Sequence, residues 1–250
     1  MNTSEPFQFP DWLMIVPDVE ALNRAAAQEF ARCASEAINK DGRFTVALSG
    51  GHTPRAVYSL LAKEYASSLP WEQIYVFFGD ERHVPPADPE SNYRMANESL
   101  LSQVPIPAEN VHRIHAELEA SAAAEQYQSL LEQFFHLKPN ELPRFDLVML
   151  GMGEDGHTAS LFPATAALHE RSRLVTANHV EKLKADRITF TLPVLNSAAE
   201  AMVIVAGANK APVIRQIVHS PATLTYPVQM VHPNKGRLLW IVEQHAAAAA

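Results

Sequence analysis

The sequence predicts an α/β protein with a Rossmann-like, mostly parallel sheet that carries helices on both faces. Short apolar runs rich in β-branched and aromatic residues alternate along the chain with segments of helical periodicity. This alternation is typical of repeated β-α units, whose strands lie parallel in one sheet. With 250 residues, 47% of them hydrophobic, the chain is long enough to bury a large core.

The first half of the chain contains three predicted strands, each followed by a helix. Asp18 is a plausible N-cap for the first helix, and Gly42 follows its end. Pro54 fits the first turn of the second helix, and Ser91 is placed to cap the third. The predicted strands are 12–16, 44–48 and 74–78, and the predicted helices are 19–39, one from about 54, and 92–103.

The second half continues the alternation after two prolines and a short strand that ends near Ile114. Residues 180–186 are polar and predict a loop. We expect one domain over residues 1–250, with loosely ordered tails at 1–11 and 246–250. The predicted helices are 121–136 and a segment that ends near 219, and the predicted strands are 145–150, 174–177, 187–192, 201–206 and 238–242.

Polar, glycine-bearing segments follow four of the predicted strands. They read SGGHT at 49–53, GDER at 79–82, GMGEDGH at 151–157 and GANK at 207–210. The carboxyl ends of parallel strands meet at one edge of a sheet, where open α/β folds bind their ligands. The sequence therefore predicts one crevice that binds a phosphorylated small molecule.

The first of these segments predicts an anion-binding loop. Glycines free the backbone, the N–H groups at a helix start point the same way, and the hydroxyls add donors. A tight strand-to-helix turn without a ligand is the alternative. Lys210 opens a later helix, where a cation is disfavoured unless an anion lies near. The loop residues are Ser49, Gly50, Gly51, His52 and Thr53.

The third segment predicts the catalytic group. His157 lies two residues after Asp155, and a carboxylate beside an imidazole is a common way to orient a base near neutral pH. Gly153 lets the backbone approach a ligand closely. Arg82 can bind a phosphate or an oxyanion through paired hydrogen bonds. Asp80 could be catalytic, or could be structural as part of a buried ion pair.

Composition argues against several other classes of function. The formal net charge of −8 disfavours general nucleic-acid binding, and no apolar run approaches the ~20 residues of a membrane span. The chain has a single cysteine and opens without a signal peptide, so we expect a cytoplasmic protein. A metal site from His83, Asp155 and His157 is an alternative, but its spacing matches no standard motif. We expect neither a metal nor another cofactor.

Four blocks resemble one known family: ALSGGHTP, FFGDERHVPPADPESNY, LGMGEDGHTASLFP and RITFTLPVLNSA. They are similar to the signatures of the 6-phosphogluconolactonases, within the wider glucosamine-6-phosphate isomerase/deaminase superfamily. The likeness covers about residues 44–210. It implies a Rossmann-like sheet and hydrolysis of 6-phospho-D-glucono-1,5-lactone to 6-phospho-D-gluconate, in the oxidative pentose phosphate pathway, with no redox cofactor.

The resemblance also implies site residues. The loop at 49–53 corresponds to the family's phosphate loop, Arg82 to the arginine of GDER, and His157 to the base beside Asp155. Lys182 stands five residues before Arg187, as a family lysine does, but the segment VEKLKADR lacks the family's prolines and adds Lys184. Which of these three reaches the substrate stays open. Lys210 matches a phosphate-contacting lysine, and Asp80 and Gly153 complete the expected substrate contacts.

These residues suit direct attack of water on a lactone. His157 would act as general base, Asp155 or Glu154 would orient it, and Arg82 or Lys182 would stabilise the oxyanion. No serine lies in a GxSxG elbow, so an acyl-enzyme is not expected. We expect a monomer or weak homo-oligomer that binds a sugar-phosphate lactone.

Two alternatives remain. A deaminase or isomerase of the same superfamily would need a carboxylate at the position of Phe162, and a non-catalytic sugar-phosphate sensor would have no use for the Asp155–His157 pair.

Overall fold

The computed structural model describes residues 12–219 and 225–247. Strands and helices alternate along these residues, as the hydrophobic pattern predicts. The strands within them are β1 (Leu13–Val16), β2 (Phe44–Leu48), β3 (Ile74–Phe78), β4 (Asp80–Arg82), β5 (Leu147–Gly151), β6 (Val175–Val180), β7 (Ala185–Phe190), β8 (Glu200–Val205) and β9 (Arg237–Glu243). The α-helices are α1 (Val19–Asp41), α2 (His52–Tyr65), α3 (Asn92–Ala96), α4 (Ala120–Phe134), α5 (Leu192–Ser197), α6 (Ala211–His219) and α7 (Gln244–Ala247).

Six strands form the main sheet in the order β1-β9-β8-β5-β2-β3, and every neighbouring pair is parallel. The prediction of a mostly parallel sheet with helices on both faces is confirmed. β2, β5 and β8 lie side by side in its middle and are almost wholly buried, which explains their continuous apolar sequences. The loops that follow these three strands therefore start next to one another.

A second sheet was not predicted. It has the order β4-β7-β6, and both of its pairs are antiparallel. The expected loop at 180–186 is shorter than predicted, because residues 181–184 form the turn of a hairpin and the other three residues belong to its strands β6 and β7. The GDER segment is likewise a strand rather than a loop. Three residues are too few to show a two-residue alternation, and only the distant partner β7 makes β4 a strand.

Helix ends follow the predicted caps more closely than the predicted lengths. The Asp18 carboxylate accepts a hydrogen bond from the N–H of Ala21 at 2.8 Å, and Gly42 ends α1 with φ of 75°. The third predicted helix is shorter as an α-helix, since α3 widens into a π-helical turn over Asn97–Leu101. The strand expected near Ile114 is wrong: this part of the chain pairs with the sheet only through one bridge, from Val111 to Val76.

The last helix corrects one boundary. We expected a loose tail from 246, but Ala246 and Ala247 are buried in α7 and belong to the hydrophobic core. The tails expected at 1–11 and 248–250 lie outside the described residues. Among the helices that the structure describes, none has the length and apolar character needed to cross a membrane.

A cluster of charged groups joins α1 to β8 and β9, away from the predicted crevice. Arg32 donates hydrogen bonds to Glu29 at 2.9 Å and to Glu200 at 2.7 Å, and Arg237 contacts both carboxylates. Burial, together with the neighbouring Glu29, raises the pKa of Glu200 to about 7. Cys33 lies beside this cluster, 6% exposed, and burial raises the pKa of its thiol.

Candidate active site

One cavity of about 440 Å³ opens at the carboxyl edge of the main sheet. It collects residues from all four polar segments that the sequence singled out, and its size suits a small ligand. A larger apolar cavity of 820 Å³, next to Trp12 and Trp240, contains none of the predicted site residues. The predicted residues that line the smaller cavity are Ser49, Gly50, Gly51, His52, Thr53, Asp80, Arg82, Gly153, His157 and Lys210.

Tyr58 fixes the backbone of the loop between β2 and α2 through two hydrogen bonds. The Tyr58 hydroxyl accepts a hydrogen bond from the N–H of Ser49 at 3.0 Å and donates one to the Ser49 carbonyl at 2.9 Å. Gly51 has φ of 113°, which a side chain would rarely tolerate. The Ser49 hydroxyl is buried and has no hydrogen-bond partner among the described residues. An unpaired hydroxyl at the wall of this cavity is available to a ligand.

Gly50 lies against a residue that the sequence analysis did not single out. A Cβ at Gly50 would stand 1.7 Å from Oδ1 of Asn92. The Asn92 amide donates to the carbonyl of Asp80 at 2.9 Å, so this side chain connects the anion loop to β4. Asn92 opens α3 in the SNY triplet after GDER, and an asparagine next to a helix cap could have drawn attention to it.

Two buried carboxylates follow β3, and they have different partners. Glu81 accepts hydrogen bonds from the backbone N–H groups of Arg82, Asn92 and Tyr93 at 2.7–2.8 Å, so it fixes the start of α3. Burial raises the pKa of Glu81 despite these bonds. Asp80 lines the cavity, and its Oδ2 accepts from the Ser160 hydroxyl at 2.6 Å. Asp80 is thus both held by the protein and open to a ligand.

Arg82 and Arg187 face each other across β4 and β7. The Arg82 guanidinium lines the cavity and donates to the carbonyl of Glu90 at 2.6 Å. Arg187 is half-buried and does not line the cavity, and its pKa is lowered by burial and by the neighbouring Arg82. Two adjacent guanidinium groups at one rim favour an anionic ligand.

The Asp155 carboxylate bridges two other predicted residues. Its Oδ1 lies 2.5 Å from Nδ1 of His157, and its Oδ2 accepts a hydrogen bond from the ammonium of Lys182. Burial alone would raise the pKa of Asp155, but the hydrogen bonds from Lys182 and His157 lower it to about 2. Nε2 of His157 has no hydrogen-bond partner in the described part of the chain, and the residue lines the cavity. That nitrogen is free to take a proton.

The three lysines considered for the site lie in different parts of the structure. Lys182 is exposed at the turn between β6 and β7 and is engaged with Asp155, outside the cavity wall. Lys184 occupies the left-handed position that ends this turn, with φ of 47°. Lys210 lines the cavity, and burial lowers its pKa. Beside it, Asn209 donates a hydrogen bond to Glu154 at 2.6 Å and so links the loops after β5 and β8.

Within the described residues, the three side chains considered as an alternative metal site, His83, Asp155 and His157, do not lie close enough together to share an ion. His83 directly follows β4 but does not line the cavity, and its Nε2 lies 2.8 Å from the Leu118 carbonyl and its Nδ1 3.8 Å from Asp186. His157 instead lines the cavity, together with the loop at 49–53. This sheet, this loop and this histidine–carboxylate pair are those of an α/β protein with a candidate active site at the carboxyl edge of its main sheet.

Comparison with known proteins gives the family. The model of the glucosamine-6-phosphate isomerases/6-phosphogluconolactonase family matches residues 17–240. A 6-phosphogluconolactonase from Nostoc sp. is 43% identical over 236 residues, which cover 94% of this chain and 96% of the relative. One from Synechocystis sp. is 42% identical over 214 residues, 85% of this chain and 87% of the relative. The solved 6-phosphogluconolactonase of Trypanosoma cruzi has a TM-score of 0.87 at 27% identity, with 96% and 97% of the two chains covered. The chain belongs to this family.

Proposed function

We propose that this protein hydrolyses 6-phospho-D-glucono-1,5-lactone to 6-phospho-D-gluconate, the lactone step of the oxidative pentose phosphate pathway. The observation that carries the proposal is that His157 and the loop at 49–53 line one cavity. A phosphate bound at the loop would leave the ester end of the sugar within the same space as the imidazole. The named relatives are 6-phosphogluconolactonases along almost their whole length.

The reaction needs a proton acceptor and a positive group near the carbonyl oxygen. Nε2 of His157 takes a proton from water while the water oxygen bonds to the lactone carbonyl carbon. The Asp155 carboxylate, which is hydrogen-bonded to Nδ1 of His157, stabilises the imidazolium that forms. The tetrahedral intermediate then collapses, the bond to the ring oxygen breaks, and the imidazolium returns its proton to that oxygen.

Arg82 is the better candidate for stabilising the oxyanion. Its guanidinium lines the cavity, whereas the ammonium of Lys182 is bound to Asp155. Lys210 and the loop at 49–53 are assigned to the phosphate. Lys182 then acts on the base through Asp155.

The test is a timed assay with freshly generated lactone, corrected for its spontaneous opening. His157→Ala should lose about 100-fold or more of the enzymatic rate, because general-base catalysis contributes at least that much. His169→Ala is the matched control, since His169 is exposed and outside the cavity. Near-wild-type turnover in folded His157→Ala would remove the histidine from this role.

The two alternatives are separated by other substrates and readouts. A deaminase would release ammonia from glucosamine 6-phosphate, but the position where it needs a carboxylate holds Phe162, which cannot transfer a proton. A sensor would bind 6-phosphogluconate tightly in calorimetry and leave the lactone to open at its spontaneous rate. Either result would replace the present assignment.

We further propose that the enzyme works in the cytoplasm as a monomer or weak homo-oligomer, without a nucleic-acid or membrane partner. The net charge of −8 and the single, buried cysteine support this view.

A further inference from the structure

One aromatic side chain of the site is buried but is not part of the core. Phe162 is 5% exposed, yet it lies outside the hydrophobic cluster that contains its neighbour Leu161. Among the described residues, its ring contacts are with the imidazole of His157, whose centroid is 4.0 Å away, and with the ammonium of Lys182 at 5.5 Å. The Phe162 ring therefore lies against two of the predicted site residues.

The two rings are nearly parallel, with 23° between their planes. Gly153 crowds the imidazole as well, because a Cβ there would lie 2.1 Å from Nδ1 and 2.2 Å from Cε1 of His157. Nδ1 also donates a hydrogen bond to the Asp155 carboxylate, so these contacts fix both the plane of the ring and its Nδ1 edge. They leave Nε2 as the free nitrogen.

A strained turn brings Phe162 onto His157, five residues earlier in the chain. Ala159 has φ of 46°, a left-handed conformation that costs a non-glycine residue about 1 kcal/mol. The N–H of Leu161 closes the turn on the carbonyl of Thr158 at 2.9 Å. The hydroxyl of Thr158 donates to the Gly151 carbonyl at 2.8 Å, and the hydroxyl of Ser160 to Asp80. The surrounding structure thus maintains an unfavourable backbone conformation whose result is the ring pair.

We infer that Phe162 is a positioning residue for the general base: its ring fixes the plane of the His157 imidazole so that Nε2 meets the attacking water. The inference rests on the function proposed above. An imidazole held only at Nδ1 can still swing about that hydrogen bond, and a displacement of about 1 Å can cost about 100-fold in rate. The flat ring prevents this movement without contributing a charge or a proton.

The test compares Phe162→Leu with Phe162→Tyr. Leucine keeps an apolar group but loses the plane, so kcat should fall about 10- to 100-fold while KM changes less than about threefold. Tyrosine keeps the plane and should restore kcat to within about threefold. The control is Phe30→Leu, which removes an equally buried ring that packs on Phe44 in the core. It should lower stability and leave kcat unchanged.

A second readout does not depend on turnover. A proton above an aromatic ring is shifted upfield in NMR, so the Hε1 resonance of His157, assigned by its loss in His157→Gln, should move downfield in Phe162→Leu and stay in place in Phe162→Tyr. An unchanged resonance in Phe162→Leu, a kcat near the wild-type value, or a loss confined to KM would each overturn the inference. If Phe162→Leu does not fold, Phe162→Met replaces it. A wild-type protein without lactonase activity would sink the proposed function, while the NMR comparison would still test the ring pair.

Discussion

Replacing Gly50 with alanine should damage both the stability and the activity of this protein. The new methyl group would stand 1.7 Å from Oδ1 and 2.4 Å from Cγ of Asn92. Ordinary contact needs about 3.4 Å, so the methyl group and Oδ1 must separate by about 1.7 Å more in a close-packed region. The φ of Gly50 is outside the left-handed region, so alanine is compatible with the backbone there and the collision is the only obstacle.

The cost depends on which partner moves. If Asn92 turns away, it gives up its hydrogen bond to the Asp80 carbonyl, and a buried acceptor left unpaired costs about 1–3 kcal/mol of unfolding free energy. If the loop moves instead, the anion-binding groups shift by about 1 Å and kcat/KM falls by up to about 100-fold. We expect at least one of these losses in Gly50→Ala.

The assay pairs urea denaturation with lactone kinetics on four proteins: wild type, Gly50→Ala, Asn92→Ala and the double variant. Asn92→Ala removes all three atoms that the new methyl group would meet most closely, so the double variant should be more stable than the sum of the single effects by about 1 kcal/mol or more. Gly79→Ala is the control, because a Cβ there meets only the Leu48 carbonyl at 3.7 Å. Wild-type stability and kcat/KM in Gly50→Ala, or strictly additive effects, would refute the reasoning.

Three further results are expected. Lys182→Met should be less stable than the wild type at neutral pH. The difference in unfolding free energy should shrink as pH falls from about 4 to about 2, because the low pKa of Asp155 stabilises the fold only where the carboxylate is ionised. A difference independent of pH would contradict this. The raised pKa of Glu200 stabilises the fold fully below pH 4.5, and this stability is lost as pH rises through about 7. Across that window the unfolding free energy of Glu200→Gln should therefore change less with pH than that of the wild type, by at most about 1.4 kcal/mol per pH unit. Equal slopes of unfolding free energy against pH in the two proteins would refute this. Dialysis against a chelator should leave lactonase activity intact, and a loss restored by a divalent metal would revive the metal-site alternative.

The strands of the main sheet and the loops after them were predictable because their signals are local. A buried strand such as β5 is a continuous apolar run, and the glycines and charges that follow it are adjacent in the sequence. Parallel pairing then places these loops at one edge without any knowledge of the strand order. This is why most of the expected cavity residues do line one cavity.

The contacts that prepare the site were not predictable because they depend on distant partners. β4 exists only through its pairing with β7, about 100 residues away. The same second sheet carries Lys182 to Asp155, a contact that no sequence spacing encodes. The left-handed conformation at Ala159 is not signalled by a glycine in the sequence, so the stacking of Phe162 on His157 could not be predicted.

The solitary cysteine gives this protein an intrinsic reporter of unfolding. Because Cys33 is enclosed and its sulfur is kept protonated, a thiol reagent should modify it only in molecules whose first helix has opened. Labelling rates would then measure opening in every variant described above, with no engineered label site, under the buffer conditions of the kinetic assay itself.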